Sequence, residues 1–253
     1  YSLLINETQF NTMTADEIGA MVVSRQADGI ALLASMSPFG TRVLSSSSQR
    51  ALPIVIGCET ISEDLSSFPG IHIDNIGAAK EATNYLLGLG HERIAFIYGE
   101  HKTLLTQDRE NGYREAMSEA GKPIDSGWVV AGRLTIDGAI AATEKLLEHP
   151  KRPTAIFCAN DEMAMGCLHA IQSAGLQVPG DISVMGFDDN RYAKITNPPL
   201  TTVAQPAKSI GKKVMQRLLH EIEHGRSRDT EPEIVPHELV VRASTAAPGQ
   251  TKA

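Results

Sequence analysis

The chain is 253 residues long, with 42% hydrophobic residues, 21% charged residues and a formal net charge of −7. That is an ordinary globular balance, sufficient for one large α/β unit or two lobes of roughly 120 residues each, and it argues against a basic face that grips nucleic acid. No apolar run approaches the ~20 residues that span a bilayer and no signal peptide is visible at the start, while three cysteines without CxxC spacing read as a reduced, cytoplasmic protein.

"YSLLI" (1–5) is a predicted strand that opens the chain without an initiator Met, so a segment upstream is expected to have been removed or left out. "TADEIGAMVVSRQ" follows as a predicted helix, with Thr14 and Glu17 in capping-box spacing. "DGIALLAS" (28–35) and "LPIVIGC" (52–58) are further strands, separated by a solvated loop at "SSSS" (45–48). "RIAFIYG" (93–99), "GWVVAGR" (127–133), "TAIFCAN" and "DISVMGFDD" (181–189) are continuous apolar strands. Between them lie the amphipathic helices "RENGYREAMSEAG" (109–121), "DGAIAATEKLLEHP" (137–150) and "DEMAMGCLHAIQSAG" (161–175). A long helix, "AKSIGKKVMQRLLHEIEHG", and a last strand, "HELVVRAS", close the chain. Apolar strands alternating with helices predict an α/β, doubly wound fold with parallel sheets covered on both faces.

In such sheets ligands sit beyond the carboxyl ends of the strands, where helix N-termini also point. The strand ends here collect polar groups: the loop after Gly99 leads to Arg109, and the others finish at Gly132-Arg133-Leu134, Asn160-Asp161 and Asp188-Asp189. An arginine donates through a planar fork, a carboxylate accepts from two hydroxyls, and an amide does both. Together they suit a small polyhydroxylated ligand such as a sugar or nucleoside. Asp161 reads as the cap of the following helix, whereas Asn160 and Asp188 read as ligand contacts.

The segments "ADGIALL" (27–33), "HIDNIGAAKEATNYLLGLGHERIAFIYG" (72–99), "RENGYREAM" (109–117), "TAIFCANDEMAMG", "ISVMGFDDNRYAKITNPPLTTVAQP" (182–206) and "ELVVRAST" (238–245) resemble the effector-binding core of lactose-repressor-like transcription regulators. The resemblance implies a two-lobed, periplasmic-binding-protein-like core that lacks its N-terminal helix-turn-helix and the first βα unit of its N-lobe. The lobes are then expected as 1–76 with 202–226 and 77–201 with 227–246, leaving 247–253 as a tail. By motif position Arg109 would donate to ligand hydroxyls, Asn160 would contact the ligand, and Asp188 would accept from its sugar or base. Ser35 and the Cys58-Glu59 pair would line the crevice from the N-lobe. Two departures stand out: Cys58 replaces a frequent aspartate, so that either Glu59 substitutes for it or the contact is lost, and Leu134 replaces a frequent aromatic that stacks on the ligand.

"HEIEH" (220–224) matches H-E-x-x-H, yet a helix stop at Gly225 and the lack of a third ligand favour a solvated helix end over zinc. "GLGHER" (88–93) precedes a strand instead of following one, so it reads as a helix-ending turn and not a dinucleotide loop. Cys158 and Cys167 lie in apolar segments and read as core residues, and the sequon at Asn6-Glu7-Thr8 carries no meaning in a cytoplasmic protein. The expected function is the effector-binding and dimerisation core of a repressor-type regulator, cytoplasmic and not an enzyme. It is expected to need no cofactor or metal, and its partners would be a sugar or nucleoside effector, a second copy and operator DNA, with no membrane contact. The alternative is an extracytoplasmic sugar-binding protein that serves a transporter.

Overall fold

Parallel strands buried on both faces need continuous apolar runs, and "IVIG", "IAFIY", "AIFC" and "SVMGF" supply them. In the computed structural model these runs are the centres of two sheets. Residues 1–3, 5, 27–33, 53–58, 66, 68–99, 103–225, 227 and 229–249 are described. The predicted helix capped by Thr14 and Glu17, the "SSSS" loop, the sequon, Ser35 and Glu59 lie outside them.

The chain forms two compact units, 1–72 with 207–234 and 73–206 with 235–253. Among the described residues the first unit holds a four-stranded parallel sheet in the order β1-β2-β3-β9, made of β1 (Ile30–Leu32), β2 (Ile54–Gly57), β3 (Gly70–His72) and β9 (Glu233–Ile234). Helix α5 (Ala207–His224) packs on β1, β2 and β3 through a buried stripe of Ile210, Val214 and Leu218. The predicted "YSLLI" strand is not observed: Tyr1, Leu3 and Ile5 are exposed and unpaired with any described strand. An apolar run makes a strand only where a neighbouring edge accepts its backbone groups.

The second unit contains β4 (Ile94–Tyr98), β5 (Val129–Ala131), β6 (Ala155–Cys158), β7 (Ser183–Asp188), β8 (Thr201–Ala204) and β10 (Glu238–Val240). They form one sheet in the order β10-β8-β7-β6-β4-β5, parallel apart from the edge strand β10, which runs against β8. Four helices cover it: α1 (Asn75–Gly88), α2 (Leu104–Glu119), α3 (Ile136–Glu148) and α4 (Asp161–Ser173). Every one of the four starts on a short polar cap whose side-chain oxygen accepts an N–H three residues on: Asp74 from Gly77, Thr103 from Thr106, Thr135 from Gly138 and Asn160 from Met163. Because Thr103 caps α2, that helix begins five residues before the predicted start, and Arg109 lies in its second turn.

From β4 the chain steps to β5 through α2, then back across β4 to β6 and onward to β7 through α3 and α4. With right-handed crossovers this reversal puts α2 on one face and α3 and α4 on the other, the doubly wound pattern expected from sequence. The strand order reverses between β4 and β6, and at their carboxyl ends such sheets leave a crevice.

The helices pair tightly, α1 with α2 and α3 with α4. A glycine stands at each crossing: a Cβ on Gly112 would sit 2.2 Å from the Ile76 carbonyl oxygen, and one on Gly166 2.4 Å from that of Ile136. Backbone atoms cannot yield as a flexible side chain can. Gly112→Ala is therefore expected to destabilise the fold by about 1–3 kcal/mol in chemical denaturation, since overpacking must push α1 and α2 apart. Gly88→Ala, where an added Cβ meets nothing within 4 Å, is expected to stay within about 0.5 kcal/mol of the unmodified chain.

Candidate functional site

The centre of the site is an arginine inside the second unit. Arg109 is only 2% exposed, and a buried guanidinium is tolerable only where its N–H groups find acceptors. Its Nε donates to Asn75 Oδ1 at 3.0 Å and its Nη1 to the Ala159 carbonyl at 2.5 Å, while the guanidinium carbon stands 3.6 Å above the Phe187 ring. Nη1 also lies 3.6 Å from Asp188 Oδ1. Four segments thus meet on one side chain: the start of α1, the second turn of α2, the end of β6 and the end of β7.

Asp188 ends β7 with φ 109°, and Asp189 follows with φ 53°. Gln205 Nε2 donates to Asp188 Oδ1 at 2.6 Å. Burial pushes the Asp188 carboxyl up from its ordinary value, Arg109 and Gln205 pull it back, and Glu162 adds to the upward push. Even so, 37% of its side chain is open to solvent, which leaves room for a donor from outside. Asp189 is bonded to Arg242 Nη2 at 2.7 Å, and Arg242 Nη1 donates to the Leu200 carbonyl at 2.8 Å. The "VVRAST" segment thereby braces the turn after β7.

The cap predicted at Asp161 falls one residue earlier, on Asn160. Asn160, extended at φ −151°, is the cap of α4: its Oδ1 accepts the Met163 N–H at 2.8 Å. Asp161 is already helical and fully buried, and its Oδ1 accepts the Thr202 hydroxyl at 2.6 Å while its Oδ2 accepts the Asn190 N–H at 2.7 Å. A cap must adopt extended backbone while its carbonyl enters the helix, and only the first of two adjacent polar residues meets that condition here.

Leu134 follows β5 in the left-handed region at φ 58°, directly after Arg133 at φ 56°. Its side chain closes over the backbone of β4's end, since a Cβ on Gly99 would fall 2.5 Å from Leu134 Cδ2. In the first unit, considered alone, Cys58 at the end of β2 is also left-handed at φ 67°, and its N–H donates to the Ile71 carbonyl at 2.9 Å. Non-glycine residues in this region are uncommon and strained, and such strain concentrates at ligand sites.

Residues 83–245 match the model of a periplasmic binding protein-like domain. The chain is 34% identical over 247 residues to the HTH-type transcriptional repressor CytR of Escherichia coli (strain K12), covering 98% of this chain and 71% of that protein. It belongs to the LacI family of transcriptional regulators. Solved LacI-family structures agree. A transcriptional regulator from Bacillus cereus subsp. cytotoxis NVH 391-98 superposes with a TM-score of 0.83 at 27% identity, over 92% of this chain and 81% of that one. A regulator from Enterococcus faecium with bound ribose gives a TM-score of 0.80 at 26% identity, over 91% and 84%. The chain is thus the core of a transcriptional regulator, and the transporter alternative is not favoured.

Within this LacI-family core the structure brings Arg109 and Asp188 together and places Asn160 and Leu134 at neighbouring strand ends. Asn75, Phe187, Gln205 and Arg242 were not singled out from sequence. Asn75 is 2% exposed, and its Nδ2 is buried with no hydrogen-bond partner among the described residues. The "NI" at the start of a helical run gives no local sign of that; only the partner 34 residues away does.

The motifs discounted from sequence take ordinary places. The His220 and His224 rings stack with centroids 4.5 Å apart on the exposed end of α5, whereas Glu221 between them is buried and bonded to Arg217 Nε at 3.0 Å. Among the described residues no three His, Cys, Asp or Glu side chains are grouped to hold a metal. Cys158 and Cys167 are fully buried, and burial pushes the Cys158 thiol well up, so it stays protonated. No helix among the described residues is long and apolar enough to cross a membrane.

Truncating Arg109 would leave Asn75 and the Ala159 carbonyl buried without their donor and Asp188 without its counter-charge. Arg109→Ala is expected to lower stability by about 2–4 kcal/mol in denaturant titration. Arg109→Lys, with a point charge in place of the fork, is expected to recover only part of this loss.

Proposed function

We propose that this core senses a small polyhydroxylated molecule, a sugar or nucleoside, held at the strand ends of the second unit by Arg109, Asn160, Asp188 and Leu134. Ser35 and Glu59 belong to the same reading by motif position. The observation that carries it is the partly open carboxylate of Asp188 beside a buried guanidinium held through its Nε and Nη1. A sugar hydroxyl can donate to the first while the second keeps its charge in place. The LacI-family relative with bound ribose supports a pentose as the starting probe.

Binding, not catalysis, suits this chemistry. Both oxygens of Asp161 already accept hydrogen bonds, and the Cys158 thiol is buried and protonated. The effector would act by preferring one conformation of the regulator, and its influence equals its differential affinity, typically ~1–3 kcal/mol. A homodimer in the cytoplasm, reading operator DNA, completes the proposal on family grounds.

A thermal-shift screen with D-ribose, hexoses and nucleosides tests it. A binder at ~100 times its dissociation constant is expected to stabilise the fold by ~2.7 kcal/mol. Asp188→Asn keeps the shape of the acceptor and removes its charge, so it is expected to weaken binding about tenfold or more, and because the buried Arg109 loses its counter-charge the unliganded melting temperature is expected to fall as well. A wild-type response retained in Asp188→Asn rejects the site.

A further inference from the structure

Asp161 is a carboxylate that the ligand reading leaves without a role, and its surroundings are specific. Its two oxygens collect donors from two different elements: the Asn190 N–H, on the turn after β7, and the Thr202 hydroxyl, on β8. The turn it holds contains Asp188 and Asp189, both at positive φ. Asn190 continues the turn by accepting the Tyr192 N–H at 2.9 Å. Strand β7 passes so close that a Cβ on Gly186 would lie 2.3 Å from Asp161 Oδ1, so any side chain there would expel the carboxylate.

The charges facing Asp161 come from each packed element. Asp188 and Asp189 repel it from the turn, and each is itself bonded to an arginine, Arg109 and Arg242. Glu162 follows it on α4, and the protonated Cys158 thiol lies behind it at the end of β6. Burial pushes the Asp161 carboxyl up to about 7, the Thr202 and Asn190 bonds oppose that push, and the two aspartates of the turn add to it.

We propose that Asp161 is the positioning residue of the ligand site: by bonding Asn190 and Thr202 at once it locks the left-handed turn that presents Asp188. This rests on the reading of Asp188 as the ligand's acceptor. The ionised form accepts both donors. The protonated form keeps both only if the proton sits on Oδ1 and the Thr202 hydroxyl turns to accept it, so the turn feels the charge state of Asp161.

The sign of the stability effect follows from linkage. The native state keeps a proton on Asp161 that the unfolded chain has already lost, so this group's contribution falls as pH rises from about 4 to about 7 and is flat above. Asp161→Asn removes that slope. The melting temperature of Asp161→Asn relative to wild type is expected to move in the variant's favour between about pH 5 and about pH 8.

A nitrogen-15 labelled chain gives the decisive readout without any ligand. The Asn190 amide resonance is expected to titrate near neutral pH in wild type and to stop titrating there in Asp161→Asn. In Asp161→Ala, one lost hydrogen bond is expected to speed Asn190 amide exchange about tenfold. Unchanged Asn190 exchange, a titration that persists in Asp161→Asn, or a pH-independent difference in melting temperature overturns the proposal. Affinity for D-ribose, measured in parallel, is expected to fall about tenfold in Asp161→Ala. If wild type itself ignores D-ribose, the pentose reading fails while the amide readouts still judge the turn.

Discussion

A charged side chain in the interior of a sheet protein has to be surrounded, and Arg109 organises its neighbourhood for that reason. The effective cost of burying an unpaired ion is several kcal/mol, so the helix starts and strand ends around it are constrained to deliver acceptors. Asn75 supplies an amide oxygen, the chain after β6 a carbonyl, and β7 an aromatic face and a carboxylate. This is possible because α1 and the first turns of α2 lie beside the carboxyl ends of β6 and β7. The site is therefore a consequence of topology first and of side-chain choice second.

A second constraint runs through the backbone. Arg133, Leu134, Asp188 and Asp189 all occupy the left-handed region at strand ends of one sheet, at a cost of order 1–3 kcal/mol each. Such conformations persist only when neighbouring contacts determine them, and those contacts are visible: Leu134 over Gly99, Arg242 on Asp189, Asp161 on Asn190. Strain and support come in pairs. The supports reach across the sequence, from α4 to the turn after β7 and from the last strand region to the same turn, which explains why "VVRAST" lies so far along the chain from the aspartates it serves.

Much of this architecture was legible because it is written in local periodicity. The central strands of the second unit and the helices between them each satisfy their own pattern, and the doubly wound order follows from their alternation. The rule that ligands gather at carboxyl strand ends was enough to select Arg109 and Asp188. It could not assign Asn160 and Asp161, since two short polar residues before a helix are equivalent as letters and differ only in which one adopts extended backbone. Nor could it find Asn75, Gln205 or Arg242, whose partners lie 34, 17 and 53 residues away. In "YSLLI" the local pattern is good, yet its described residues pair with no described strand, because a strand is a property of a pair of edges and not of one segment.

Asp188 is joined to two kinds of partner, and the difference bears on how a ligand could be sensed. Arg109 is buried and held by Asn75, the Ala159 carbonyl and the Phe187 ring, so it fixes the charge of the site. Gln205 is a neutral amide on a strand end, and α5 begins two residues later, at Ala207, where the chain returns to the first unit. A hydroxyl arriving at Asp188 would meet two partners already in place, the Arg109 charge at 3.6 Å and the Gln205 amide at 2.6 Å. The carboxylate of Asp188 thus joins the strand ends of the second unit to the point where the chain leaves it.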